Sequence, residues 1–105
     1  MALDELTKTL RSHFHLESNA KDLDNESAYL KFLQMKLAKR IEFYINTDIE
    51  KLFQTLYRID VAQSLTDEAF DLGEVSKISM KIAEHVIRRQ LKKLNYSREF
   101  SGDGN

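Results

Sequence analysis

Cysteine, proline and tryptophan do not occur among the 105 residues, and glycine occurs only at Gly73, Gly102 and Gly104. Without cysteine there is no disulfide framework, no thiolate metal cluster and no cysteine nucleophile. With nothing to suggest an oxidised, secreted scaffold, the expected compartment is the cytoplasm. The near absence of the two strongest helix breakers favours helix along the whole body. Phosphate-cradling loops need closely spaced glycines, and Gly73 stands alone outside the C-terminal tail. Long apolar runs are lacking too. Charged side chains recur every few positions, so no stretch approaches the run of about 18 apolar residues that a membrane-spanning helix needs. The first residues carry Asp4 and Glu5 where a secretory leader has basic residues and then an apolar run. No membrane partner is expected.

The chain suits one domain with one core, and we assign residues 1–100 to it, followed by a disordered tail at 101–105. Sixteen basic and 17 acidic side chains nearly cancel, but their placement is uneven. Residues 1–26 hold three basic against six acidic, residues 27–60 six against four, residues 61–74 none against four, and residues 75–105 seven against three. A basic C-terminal segment after a purely acidic one can pair internally, pair between subunits, or face a polyanion.

Apolar periodicity defines the elements. Leu3, Leu6, Leu10 and Phe14 recur at three and four, which predicts a first helix over 2–15. Residues 16–25 are rich in Asn, Asp and Ser and read as a connection. Leu30, Leu33, Leu37, Ile41 and Tyr44 form the next stripe, whose continuation would fall on Asp48, Lys51 and Thr55. The apolar residues return instead at Ile49, Leu52, Phe53 and Leu56, a phase shift of about 100°. A break near 46–48 explains this better than a kink, because Thr47, Asp48, Ile49 and Glu50 fit a capping box. Asp60 is read as the cap of a short fourth helix over 61–70, anchored by Val61, Leu65 and Phe70. Asp71 and Glu74 offer another capping box, and Gly73 ends one element or opens the next. Val75, Ile82, Ala83, Val86, Ile87, Leu91 and Leu94 then predict a last helix over 74–96. The predicted fold is all-α, a compact antiparallel bundle of four to five helices.

Candidate chemistry is sparse. His13 and His15 would point about 160° apart on a helix and cannot share a metal ion there. Adjacent Glu84 and His85 do not reproduce the Glu-x-x-His spacing of helical di-iron sites. No catalytic motif is found, so the expectation is a protein that is not an enzyme and carries no metal or cofactor. The most coherent polar feature is the row Lys81, His85, Arg88 and Lys92, within about 60° of one face and bordered by Arg89, with Tyr96 and Phe100 beyond. A solvated helix face explains such a row most simply, with cations favoured near a helix C-terminus. Tyr29, Phe32, Phe43, Tyr44, Phe53 and Tyr57 crowd into residues 29–57, and Phe32 and Phe43 lie off the main stripe. Two apolar faces on one helix imply a central helix wrapped by neighbours or a face buried against another chain.

The string Leu56-Tyr57-Arg58-Ile59-Asp60-Val61, with the later Ile87-Arg88-Arg89-Gln90-Leu91, resembles an uncharacterised family of small bacterial helical proteins over residues 49–98. The resemblance implies a bacterial, cytoplasmic protein and carries no activity or site. In this segment Tyr57 and Ile59 read as core or core-edge residues, and Arg58 as a candidate for an ion pair near the cap. The functional expectation is a protein-interaction or regulatory module. It would self-associate through Phe32 and Phe43 of the aromatic-rich helices and turn its basic last helix toward an acidic partner. The rival reading is nucleic-acid binding through Lys81, His85, Arg88, Arg89 and Lys92.

Overall fold

The computed structural model describes residues 2–16 and 26–102, with side chains described for 5–16 and 26–94. Among these residues the order is α1 (Ala2–Phe14), α2 (Glu26–Thr47), α3 (Ile49–Arg58), α4 (Gln63–Phe70) and α5 (Val75–Gly102), with no strand. This is the all-α bundle that the periodicity predicts. No helix among the described residues is long and apolar enough to cross a membrane.

In α1 the stripe Leu6, Leu10 and Phe14 is fully buried, and the side chain of Leu3 lies outside the described residues. The helix ends where His15 adopts φ 56°, a left-handed conformation, while its amide still reaches the Arg11 carbonyl at 3.0 Å. That reversal returns Leu16 to the core, so Leu16 belongs to the packed structure and not to the polar connection. The rest of the connection, residues 17–25, lies outside the described residues.

Central in the fold, α2 buries Leu33, Leu37, Ile41 and Tyr44 and packs against α1, α3 and above all α5. Its run against α5 is antiparallel: Gln34 donates to the Met80 carbonyl at 3.3 Å, while Leu30, nearer the N-terminus, shares a cavity wall with Ile87 and Leu91. On the other flank, the Thr7 and Tyr29 hydroxyls join α1 to α2.

The predicted break is present and one residue wide. Asp48, at φ −161° and ψ 76°, separates α2 from α3, and its carboxylate accepts the Lys51 amide at 3.2 Å as a helix N-cap. Thr47 is not the cap. It ends α2, and its hydroxyl donates to the Phe43 carbonyl at 2.7 Å. Beyond the break, Leu52, Thr55, Leu56 and Ile59 turn to the core.

Asp60 also departs from its predicted role. Its φ of 66° places it just past the C-terminus of α3. The Val61 amide reaches back to the Leu56 carbonyl (3.0 Å) and the Asp60 amide to the Tyr57 carbonyl (3.1 Å), the paired bonds of a Schellman stop. Aspartate tolerates the left-handed region that glycine usually fills there. The fourth helix therefore starts later, with Ala62 at the N-cap position and no side-chain cap. Asp71 closes α4 as its C-cap, Gly73 takes φ 85° in the following turn, and Glu74 contributes the first carbonyl of α5 to Ile78.

Ile78, Ile82, Ala83, Val86 and Ile87 of α5 complete the core. At 28 residues the helix is about 42 Å long, which accounts for most of the 46 Å long axis of the molecule. It runs through Gly102, six residues beyond its predicted end, because no proline stops it and loss of apolar anchors alone does not break a helix. Ser101 and Gly102 are thus helical, and residues 103–105 of the expected tail lie outside the described residues. Tyr96 and Phe100 sit on this extension, their side chains outside the described set.

Candidate functional site

The basic row of α5 is largely engaged within the molecule. Glu84 lies between Lys81 and Arg88 at helical spacing and pairs with both, at 3.6 Å and 3.1 Å. Arg89 turns away from the row and donates from Nε to the Asp60 carbonyl at 3.1 Å. His85 is half-buried, and that burial holds its imidazole below the ordinary histidine range. Glu84 opposes this effect, Lys81 and Arg88 add to it, and Glu68 of α4 opposes it. A neutral imidazole adds no charge to the row. Lys92 remains exposed with no partner among the described residues.

These interactions create a clamp that periodicity did not reveal. Three residues of α5 hold the turn after α3: Gln90 donates to the Ile59 carbonyl at 3.0 Å, Arg89 to Asp60, and Lys93 pairs with the Asp60 carboxylate at 3.0 Å. The hydrogen bond from Lys93, then its charge, hold the Asp60 carboxyl below the usual carboxylate range. Gln90 sits four and eight residues after the apolar Val86 and Ile82, so its place on the core face was available in the sequence. The same spacing rule would have found the pairs of Glu84.

The aromatic face of α2 has two different parts. Phe32 is half-buried with Lys36 Nζ 5.6 Å from its ring centroid, and Phe43 is 51% exposed with the Arg40 guanidinium 5.6 Å from its ring. Both rings named for self-association therefore lie under cations. Lys36, Lys39, Arg40 and Phe43 join His15 and Leu16 from the end of α1 around an open cavity of about 520 Å³.

Uncapped apolar exposure concentrates on α3. Ile49, Phe53 and Tyr57, spaced by four residues, are 37%, 41% and 85% exposed. Tyr57 is thus a surface residue and not part of the core edge, whereas Ile59 is buried as expected. The Phe53 ring leans on Phe70 of α4 at 5.7 Å, which fixes the middle of the stripe. Arg58 is exposed and has no ion pair among the described residues.

A second cavity of about 550 Å³ lies between α2 and α5, walled by Leu30, Ile87 and Leu91, with Lys31, Glu84 and Arg88 at its edge. Glu84 and Arg88 are paired with each other there, so they do not form an acid and base facing the cavity. Among the described residues, no three His, Asp or Glu side chains converge as a metal site would require. Compared with protein-family models, curated proteins and solved structures, the chain matches none.

Proposed function

We propose that the protein is a non-enzymatic interaction module that pairs with a second copy of itself through α3. The observation that carries this is the uncharged stripe Ile49, Phe53 and Tyr57, exposed along about 12 Å of helix with no cation over any of its rings among the described residues. A two-fold contact sets a patch against its own copy. On α2 that would oppose Lys36, Lys39 and Arg40 with themselves, and like charges repel. On α3 it opposes Ile49, Phe53 and Tyr57, with the single charge of Glu50 at the border of the stripe.

Antiparallel pairing about Phe53 places Ile49 of one copy against Tyr57 of the other and aligns the helix dipoles favourably. Burying a large apolar side chain contributes roughly 1.5–3 kcal/mol, and association costs about 4–15 kcal/mol. Six partly exposed side chains therefore support dissociation constants on the order of micromolar or weaker. Light scattering over a concentration series should show mass rising toward twice 12.3 kDa. Tyr57→Glu should abolish that rise and Phe43→Glu should leave it intact. A wild-type chain that stays monomeric at high concentration would refute this reading. An interaction module placed in the cytoplasm remains consistent with these features, and the α5 face, with Lys92 as its one unengaged cation among the described residues, gives weaker support to an acidic partner or to nucleic acid.

A further inference from the structure

We infer that the groove between the end of α1 and the flank of α2 binds single-stranded nucleic acid, a role separate from pairing through α3. Phe32, Lys36, Lys39, Arg40 and Phe43 lie on one side of α2 at spacings of four, three, one and three, over about 17 Å. His15 and Leu16 close the groove from α1, and Arg40 Nη2 reaches the His15 carbonyl at 3.5 Å. The contrast with α5 decides the assignment. There, carboxylates engage Lys81, Arg88 and Lys93 and a carbonyl engages Arg89, whereas among the described residues Lys36 and Lys39 meet neither and Arg40 meets only the His15 carbonyl. The molecule is slightly acidic overall, yet three cations with no carboxylate partner among the described residues gather beside an aromatic ring that is half exposed.

Cations interleaved with aromatic rings suit a single strand, whose phosphates take the charges while its bases stack on the rings. Phe43, with one side toward Arg40 and 51% of its surface open, is the stacking platform, and half-buried Phe32 lies on the same side of α2 with Lys36 over its ring. A lipid surface fits less well. Insertion needs an apolar outer pole, and the outer pole of α2 carries Lys39, Glu42 and Asn46 beside Met35. A duplex fits less well because its bases are stacked away from the ring.

The test is fluorescence anisotropy of a short labelled oligouridylate titrated with the full chain. Three phosphate contacts predict an affinity that falls about 20-fold between 50 and 200 mM salt. Lys36→Glu with Lys39→Glu, both exposed positions, should abolish binding. Phe43→Ala should weaken it about tenfold. Arg88→Glu with Lys92→Glu on α5 should leave it unchanged, as should the α3 variant Tyr57→Glu, which separates this site from self-pairing. Circular dichroism establishes that each variant stays helical, and the wild-type salt dependence stands even if one does not. Absence of binding at low salt, binding that survives loss of Lys36 and Lys39, or preference for phosphatidylserine vesicles over the oligonucleotide would overturn the assignment.

Discussion

Gln90 is a buried polar residue with a structural task. Its amide satisfies the Ile59 carbonyl at the point where the chain leaves α3, with only 6% of the residue exposed. Gln90→Leu keeps the bulk but leaves that carbonyl without its donor, which should cost about 1–3 kcal/mol in urea unfolding. Ser79 presents the opposite case. It is 1% exposed and its hydroxyl has no hydrogen-bond partner among the described residues. Removing an unsatisfied buried hydroxyl removes a desolvation penalty, so Ser79→Ala should be neutral or stabilising by up to about 1 kcal/mol. A clear loss of stability would mean that the hydroxyl is bonded in solution.

His85 links residue chemistry to pH. Burial, with Lys81 and Arg88, disfavours its proton, while Glu84 and Glu68 favour it. Because the folded state binds the proton less readily than the unfolded chain, His85 contributes stability that is complete above the ordinary histidine pKa. That contribution is lost as pH falls through the lower folded value. Urea midpoints should therefore decline from neutral to mildly acidic pH, and His85→Gln should flatten this part of the decline. An unchanged slope in the variant would place the responsible group elsewhere.

At the scale of elements, the caps give the sharpest test. Asp48 accepts the Lys51 amide, so Asp48→Ala should cost about 1 kcal/mol. Thr47, whose hydroxyl bonds back to the Phe43 carbonyl inside α2, should cost less when replaced by alanine. Equal losses at both positions would mean that they share the cap. The break itself was readable because a change of helical phase moves the whole apolar stripe, a signal spread over many residues. Its cap was one position off because Thr and Asp are both good capping residues and the pattern cannot say which one leaves the helix. Asp60 was misread for a different reason. Its neighbours resemble the start of a helix, while its conformation follows from the end of α3, and its anchor, Lys93, is 33 residues away. The core stripes of α1, α2 and α5 were legible from spacing alone. What spacing cannot give is which side of a helix its neighbours leave uncovered, and so Tyr57 was assigned to the core edge although it is 85% exposed.

For the whole molecule, the antiparallel pair of α2 and α5 is the spine on which the other helices lean. Leu37 lies at its centre, fully buried, and Leu37→Ala should cost about 2–5 kcal/mol. That change should weaken self-pairing and nucleic-acid binding together, since it loosens the scaffold of both faces, whereas surface substitutions should separate them. The two faces lie on different helices, α3 with an uncharged apolar stripe and α2 with cations over its rings, so a paired molecule would keep its charged grooves open.

The natural absence of cysteine makes the central claim directly measurable, because any disulfide must come from introduced residues. Ile49→Cys and Tyr57→Cys proteins, mixed and mildly oxidised, should cross-link preferentially to each other, since antiparallel pairing about Phe53 sets these positions face to face. Cross-linking no faster than that of a control carrying Lys81→Cys would contradict pairing through α3.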